Sequence, residues 1–196
     1  MENVIPRWEW RTFGESFGDA EKRIRSSGEP TNRSRRETYI LSFDSPNNTR
    51  ILDGLMVIKR LIEVDASSLE KWNPVLKAEF PLGAADLARV FATWGVGAPA
   101  SIRPSYAVGE FLSDVVARHE RLRAVAVEKE RHGFAVEGCI VEIADLKFDG
   151  TPIRTVAVEA VDPALVIETV RRLGLGSFPN VNYIRALKRH AAIPAA

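Results

Sequence analysis

The feature that most constrains this chain is where its charges fall. Inside segments that otherwise read as apolar strands, charged residues recur at alternate positions. Glu9 and Arg11 share one face of residues 7–13, with Trp8 and Trp10 on the other. Lys77 and Glu79 stand in the same way against Leu76, Ala78 and Phe80. Lys129 and Arg131 share a face, and Arg121 and Arg123 lie in phase with them further back. Lys59 sits near the end of the apolar run that starts at Leu55, and Glu142 and Glu159 each sit inside an apolar strand. Successive side chains of a strand point to opposite faces, so this spacing makes one face of each strand ionic. A solvated outer face accounts for any single pair. Repeated along the chain, the pattern also fits a sheet closed on itself, whose inward positions alternate with outward ones and carry the charges.

The segmentation supports a mainly antiparallel sheet. Strands are expected at 7–13, 37–41, 49–52, 55–64, 76–80, 122–136, 139–148 and 153–161. Asp53-Gly54 and Asp149-Gly150 are hairpin turns between β-rich runs. Helical spacing marks 82–94, where Leu87, Val90, Phe91 and Trp94 form a stripe, and a shorter helix is expected at 108–118. A last helix at 163–173 has proline at its start and Gly174 just past its end. Residues 14–36 read as polar and charged with a turn or two of helix at 19–25, residues 95–104 as loop, and residues 180–190 as a polar tail. Sequential hairpins with peripheral helices predict an α+β domain, a closed or nearly closed β-barrel of about seven or eight strands, spanning 1–196 as one unit.

Composition narrows the functions. The formal net charge is +1, so a general nucleic-acid or membrane-surface binder, which carries a basic excess, is not expected. The single cysteine, Cys139, excludes an intrachain disulfide and a thiolate metal cluster and suits a reducing compartment. Residues 1–6 carry no leader pattern, and no run approaches the roughly 20 apolar residues of a membrane helix, so a cytoplasmic location is expected. No phosphate-binding Walker loop, dinucleotide fingerprint or nucleophile elbow occurs. His119, His132 and His190 lack metal spacing, and Cys139 reads as a small buried hydrophobe. The four tryptophans read as packing residues.

A lumen lined by Arg, Lys and Glu is costly unless hydrated or filled. A multiply charged anion is the filling that fits, since the guanidinium fork donates two parallel hydrogen bonds to phosphate. Carboxylates suit Mg²⁺ or Mn²⁺. The candidate phosphate-binding residues are Arg11, Arg50, Lys59, Lys77, Arg121, Arg123, Lys129 and Arg131. Glu9, Glu142 and Glu159 are the candidate metal ligands and catalytic carboxylates; internal ion pairing with neighbouring Arg and Lys is the alternative. Asp145 has the opposite parity to Glu142, so only one of them faces a lumen in a regular strand.

In this order the segments resemble the CYTH family of triphosphate-tunnel proteins, which includes triphosphatases and adenylyl cyclases. The family's opening Glu-x-Glu-x-Lys strand corresponds to Arg7-Trp8-Glu9-Trp10-Arg11. A strand ending in a turn corresponds to 38–46, the next basic strand to Arg50 and Lys59, and a later lysine to Lys77. The paired basic residues correspond to Lys129 and Arg131, the acidic strand to 139–145, and a strand ending in Glu to Val156-Ala157-Val158-Glu159. Leu173-Gly174-Leu175 and Asn182-Tyr183 are similar to the family's ending. Arg7 stands where the first Glu is expected and Arg11 replaces Lys, and a wide insertion separates the first two strands. The resemblance implies a metal-dependent phosphohydrolase, with Mg²⁺ or Mn²⁺, acting on inorganic or nucleoside triphosphate. A non-catalytic polyphosphate- or nucleotide-binding module is the alternative, and a barrel of internally paired charges a third. The expected partner is a triphosphate or polyphosphate-like small anion, with no membrane and no specific nucleic acid, and a homodimer as one option for assembly.

Overall fold

The structure, a computed structural model, describes residues 5–99 and 103–193. The first four residues of the chain start read above, and residues 100–102 of the expected loop, lie outside the described residues. The elements run β1 (Arg7–Gly14), α1 (Gly18–Arg25), β2 (Thr31–Ser42), β3 (Asn48–Leu52), β4 (Leu55–Val64), β5 (Glu70–Glu79), β6 (Leu82–Gly83) and α2 (Ala84–Trp94). They continue with β7 (Ser105–Tyr106), α3 (Val108–Glu110) with the π-helical turn Phe111–Val116, β8 (Leu122–Val136), β9 (Cys139–Phe148), β10 (Thr151–Ala160), α4 (Pro163–Leu173) and α5 (Tyr183–His190). Eight strands close a ring in the order β1-β10-β9-β8-β2-β3-β4-β5, with every pairing antiparallel.

Three tight turns set the register. Asp53-Gly54, Glu137-Gly138 and Asp149-Gly150 each place two successive residues at positive φ, at 51° and 73°, 50° and 84°, and 47° and 88°. Two left-handed residues match the twist of the flanking strands, and glycine adopts the second without a Cβ penalty.

The alternation along the strands then sorts side chains into an outside and a lumen. Trp8, Trp10, Val141, Ile143, Val156 and Val158 point outward, packing with Ala20 and Ile24 of α1 and with Val166 and Val170 of α4. The insertion between the first two strands is thereby used to cover the wall. Ile40, Met56, Ile58 and Leu76 point outward on the other side, under Leu87, Val90, Phe91 and Trp94 of α2. The lumen-facing residues Tyr39, Val125, Val127, Ala144, Leu146 and Phe148 meet Tyr183, Ile184, Ala186 and Leu187 of α5. One part of the lumen is therefore filled by the C-terminal helix, and the charges occupy the rest.

Three segments differ from the sequence reading. The expected polar tail is α5, with Tyr183, Ile184, Ala186 and Leu187 buried. Its helical stripe is interrupted by Arg185 and followed by Lys188, Arg189 and His190, which hide it in a polarity count. β2 starts at Thr31 rather than Glu37, because residues 31–36 are exposed and polar yet fully paired with β8. β5 starts at Glu70, and a bulge displaces its register, since Ile58 pairs with Leu76 while Lys59 pairs with Pro74. The extra residue, Val75, flips the alternation and conceals the strand from a period-two pattern.

The ring is weakest between β1 and β5, where only Arg7, Glu9 and the residue between them pair with Glu70–Trp72. Beyond that point residues 180–181 take over the edge of β1. Asn180 Oδ1 accepts from Arg11 N at 2.9 Å, Val181 N donates to Arg11 O at 2.6 Å, and Asn180 Nδ2 donates to Ser68 O at 2.6 Å. Among the described residues, no helix is long and apolar enough to cross a membrane.

Leu187 is fully buried against the lumen wall, whereas Leu165 on α4 is 38% exposed. Leu187→Ala is expected to lower stability by about 2–5 kcal/mol, and Leu165→Ala by less than about 1 kcal/mol, in urea denaturation. Equal effects would mean that α5 is not docked in the barrel.

Candidate functional site

The charged part of the lumen is organised around Glu142 on β9, which is 3% exposed. Cations from two strands converge on its carboxylate. Lys129 Nζ lies 3.1 Å and Arg11 Nη1 3.4 Å from Oε1, and Arg131 Nε contacts Oε2. Burial alone raises a carboxyl pKa, but Lys129, Arg11 and Arg131 overturn it and hold Glu142 at about 2, against an ordinary 4.5. For Lys129 the balance is opposite: burial outweighs the attraction of Glu142 and lowers its pKa.

Arg11 joins this centre to an acidic wall. Its Nε donates to Glu9 Oε1 at 2.8 Å, and Nη2 lies 3.9 Å from Glu159 Oε1. Glu9 is directly opposite Glu159 on β10 and opposite Glu70 on β5, so three glutamates stand side by side on neighbouring strands. Like charges in directly opposed positions repel. Burial and then Glu9 raise the Glu159 pKa, while the pull of Arg11 overcomes burial and lowers Glu9. Burial also raises Glu70, which accepts a 2.7 Å hydrogen bond from Asn182.

The fit to Mg²⁺ or Mn²⁺ differs among the three candidate ligands. Glu9 and Glu159 offer adjacent hard oxygens whose mutual repulsion a divalent cation relieves, so they fit. Glu142 does not, since both of its oxygens are held by side-chain cations. Among the described residues, no three His, Cys, Asp or Glu side chains converge into a metal cage.

Across the lumen, β8 and β2 form a basic wall. In register, Arg33 is opposite Arg131 and Arg35 is opposite Lys129, so two pairs of like charges share one side of the sheet, with the β2 member of each pair exposed. Arg50 on β3 sits 3.3 Å from Glu37, which is buried. Lys59 acts electrostatically on both Glu9 and Glu159. The structure thus brings together Glu9, Arg11, Arg50, Lys59, Lys129, Arg131, Glu142 and Glu159. It does not bring in Arg121, which pairs with Asp44 through a 3.0 Å Nε–Oδ2 bond, nor Arg123, which is exposed toward the start of β8. Lys77 lies opposite Val57 but is exposed. Asp145 points outward to Arg154, as its parity requires.

Sequence reasoning missed Arg33, Arg35, Glu37, Glu70, Tyr39 and Tyr183. The signal for four of them was present: Arg33, Arg35, Glu37 and Tyr39 alternate along one strand. A cavity of about 990 Å³ is bordered by the lumen residues Arg35, Lys129 and Leu146 together with Arg36, Glu128, Asp145 and Arg154, and Glu9, Arg11, Glu142 and Glu159 do not line it.

Replacing Glu142 by Gln leaves three cations without their shared anion. The expected cost is about 3–5 kcal/mol at pH 7. Because its folded pKa is depressed, Glu142 stabilises the fold above pH 4.5, and that contribution fades as pH falls toward 2. Urea midpoints of wild type and Glu142→Gln should therefore converge across that window; a gap independent of pH would contradict the network.

No family model matches the chain, and no curated protein matches it in sequence. Among solved structures it is similar to a putative adenylate cyclase from Bacillus halodurans, at 16% identity and a TM-score of 0.51, over 93% of this chain and 98% of that one. It is also similar to a putative adenylyl cyclase from Hippeastrum with a dominant triphosphatase activity, at 9% identity and a TM-score of 0.53, over 94% and 96% of the two chains. The likeness runs nearly end to end in both, and with the closed eight-stranded ring it gives this chain the CYTH, or triphosphate-tunnel, fold.

Proposed function

We propose that the barrel takes a triphosphate-bearing small anion into its lumen and hydrolyses a phosphoanhydride bond. The observation that carries this reading is the opposed pairing of Arg33 with Arg131 and of Arg35 with Lys129 on one wall, facing the glutamates of the other. Opposed like charges weaken a sheet unless something of opposite charge lies between them. A phosphate chain does so, and arginine forks match its oxygens.

Phosphoryl transfer depends on positioning and charge neutralisation more than on covalent chemistry of the protein. Arg33, Arg35, Arg50, Lys59, Lys129 and Arg131 hold the phosphate oxygens in this reading, and Arg11 spans the two walls. In this reading the opposed Glu9 and Glu159 orient the attacking water. Glu9 and Glu159 are the residues that would hold Mg²⁺ or Mn²⁺, which supplies charge neutralisation at phosphoryl oxygens when bound. Glu142 is assigned a positioning role, orienting Arg11, Lys129 and Arg131. The fold neighbour from Hippeastrum with triphosphatase activity agrees with this choice of substrate class.

A second reading, binding without turnover, is favoured by two residues. Arg7 adds a cation beside the acidic wall, and the Arg11 guanidinium already neutralises Glu9. Orthophosphate release from inorganic triphosphate and from ATP, with Mg²⁺ or Mn²⁺ and with EDTA, separates the two. Metal-dependent release is expected, falling at least about 100-fold in Glu9→Gln. No release from either substrate, with a melting temperature raised by triphosphate, would establish the binding module instead. Lys129→Ala is expected to abolish most of that thermal shift.

A further inference from the structure

Tyr39 and Tyr183 form a stacked pair deep in the lumen, with ring centroids 5.0 Å apart and planes 9° from parallel. Both are buried, at 1% and 5% exposure. Their hydroxyls differ. That of Tyr39 lies against Arg50 and Glu37, whereas that of Tyr183 has no hydrogen-bond partner among the described residues. A buried phenol almost always finds a partner, and a ring needed only for packing is served by phenylalanine.

The surroundings of Tyr183 are fixed from several sides. The Arg11 guanidinium lies 5.2 Å and Lys129 Nζ 5.3 Å from its ring centroid, and Phe13 meets it edge-on at 5.5 Å. The preceding residues pin the backbone to the wall: Asn182 donates to Glu70 and caps α5 by accepting from Arg185 N at 2.8 Å, and Val181 N donates to Arg11 O. The nearby carboxylate of Glu142 is held by its three cations. The ring is thus flanked by cations that are themselves suited to an anion, and its hydroxyl is the unpartnered donor at its edge.

We propose that the Tyr183 hydroxyl is a ligand-binding group, donating a hydrogen bond to an oxygen of the triphosphate chain held by Arg11 and Lys129. This rests on the lumen reading above and adds an uncharged, directional contact to it. A donor of this kind distinguishes an anion with an oxygen at that point from a general negative charge, so it sets selectivity for the phosphate chain over small anions such as chloride.

The test compares full-length wild type with Tyr183→Phe, Tyr39→Phe and Lys129→Ala, measuring the Kd for inorganic triphosphate by calorimetry and the melting temperature without ligand. Tyr183→Phe should weaken triphosphate binding about 10- to 100-fold, as loss of a hydrogen bond to a charged group does, without lowering the ligand-free melting temperature. Tyr39→Phe should change the Kd less. A Tyr183→Phe Kd within twofold of wild type, with Lys129→Ala clearly weakened, would overturn the tyrosine assignment and leave the lumen reading intact. Equal losses in the two tyrosine variants would also overturn it, assigning the effect to the stacked pair. No triphosphate binding by wild type would overturn both the assignment and the reading beneath it.

Discussion

The carboxylate of Glu142 and the three cations around it are what the rest of this barrel depends on. Removing four ionic groups from water is expensive, and only close mutual contact offsets it. The contact is made by residues far apart in sequence, on β1, β8 and β9. The two pKa directions within the group express the tension: Glu142 is held strongly ionised, while Lys129 is pushed toward its neutral form. A lumen of this kind is not a hydrophobic core with polar exceptions. The apolar packing lies outside the wall, under α1, α2 and α4, and inside where α5 enters.

The lumen is also not uniformly charged. Three of its glutamates, Glu70, Glu9 and Glu159, stand together on β5, β1 and β10, while most of its arginines and lysines stand on β8, β2 and β3, where Glu142 and Glu37 are held as their ion-pair partners. Arg11 and Lys59 mediate between the walls from the acidic side. Such separation favours a ligand that carries its own arrangement of charge, an anion on one flank with neutralising cations on the other, over internal pairing alone.

Much of this was legible in the sequence, for a physical reason. A period-two ionic pattern within apolar strands has few solutions, and the two Asp-Gly turns fixed where strands reverse. The alternation at Glu9-Arg11 and Lys129-Arg131 therefore identified lumen residues before any tertiary information. It failed where the pattern itself is broken or disguised. Val75 adds a residue to β5 and flips its phase, so Glu70 and Trp72 were not seen as strand residues. The first half of β2 is exposed, so Arg33 and Arg35 looked like loop charges although they face a partner strand throughout. Arg121 and Arg123 share the phase of Lys129 but not its place along the barrel, because period alone carries no position along the strand. The apolar stripe of α5 was masked by the basic residues set among it, exposed Arg185, Arg189 and His190 and buried Lys188.

The seam between β1 and β5 has a consequence for how the protein is made. Of the ring's strands β1 is made first, but its neighbour β10 is separated from it by more than a hundred residues, and part of its other edge is closed only by Asn180 and Val181. Until those are synthesised, the first strand presents open backbone donors and acceptors beside two tryptophans. Closure thus waits for residues 180–181, and the growing chain carries an adhesive edge until they are made. A chaperone that shields β1, rather than one that acts on the finished barrel, is the kind of assistance this topology calls for.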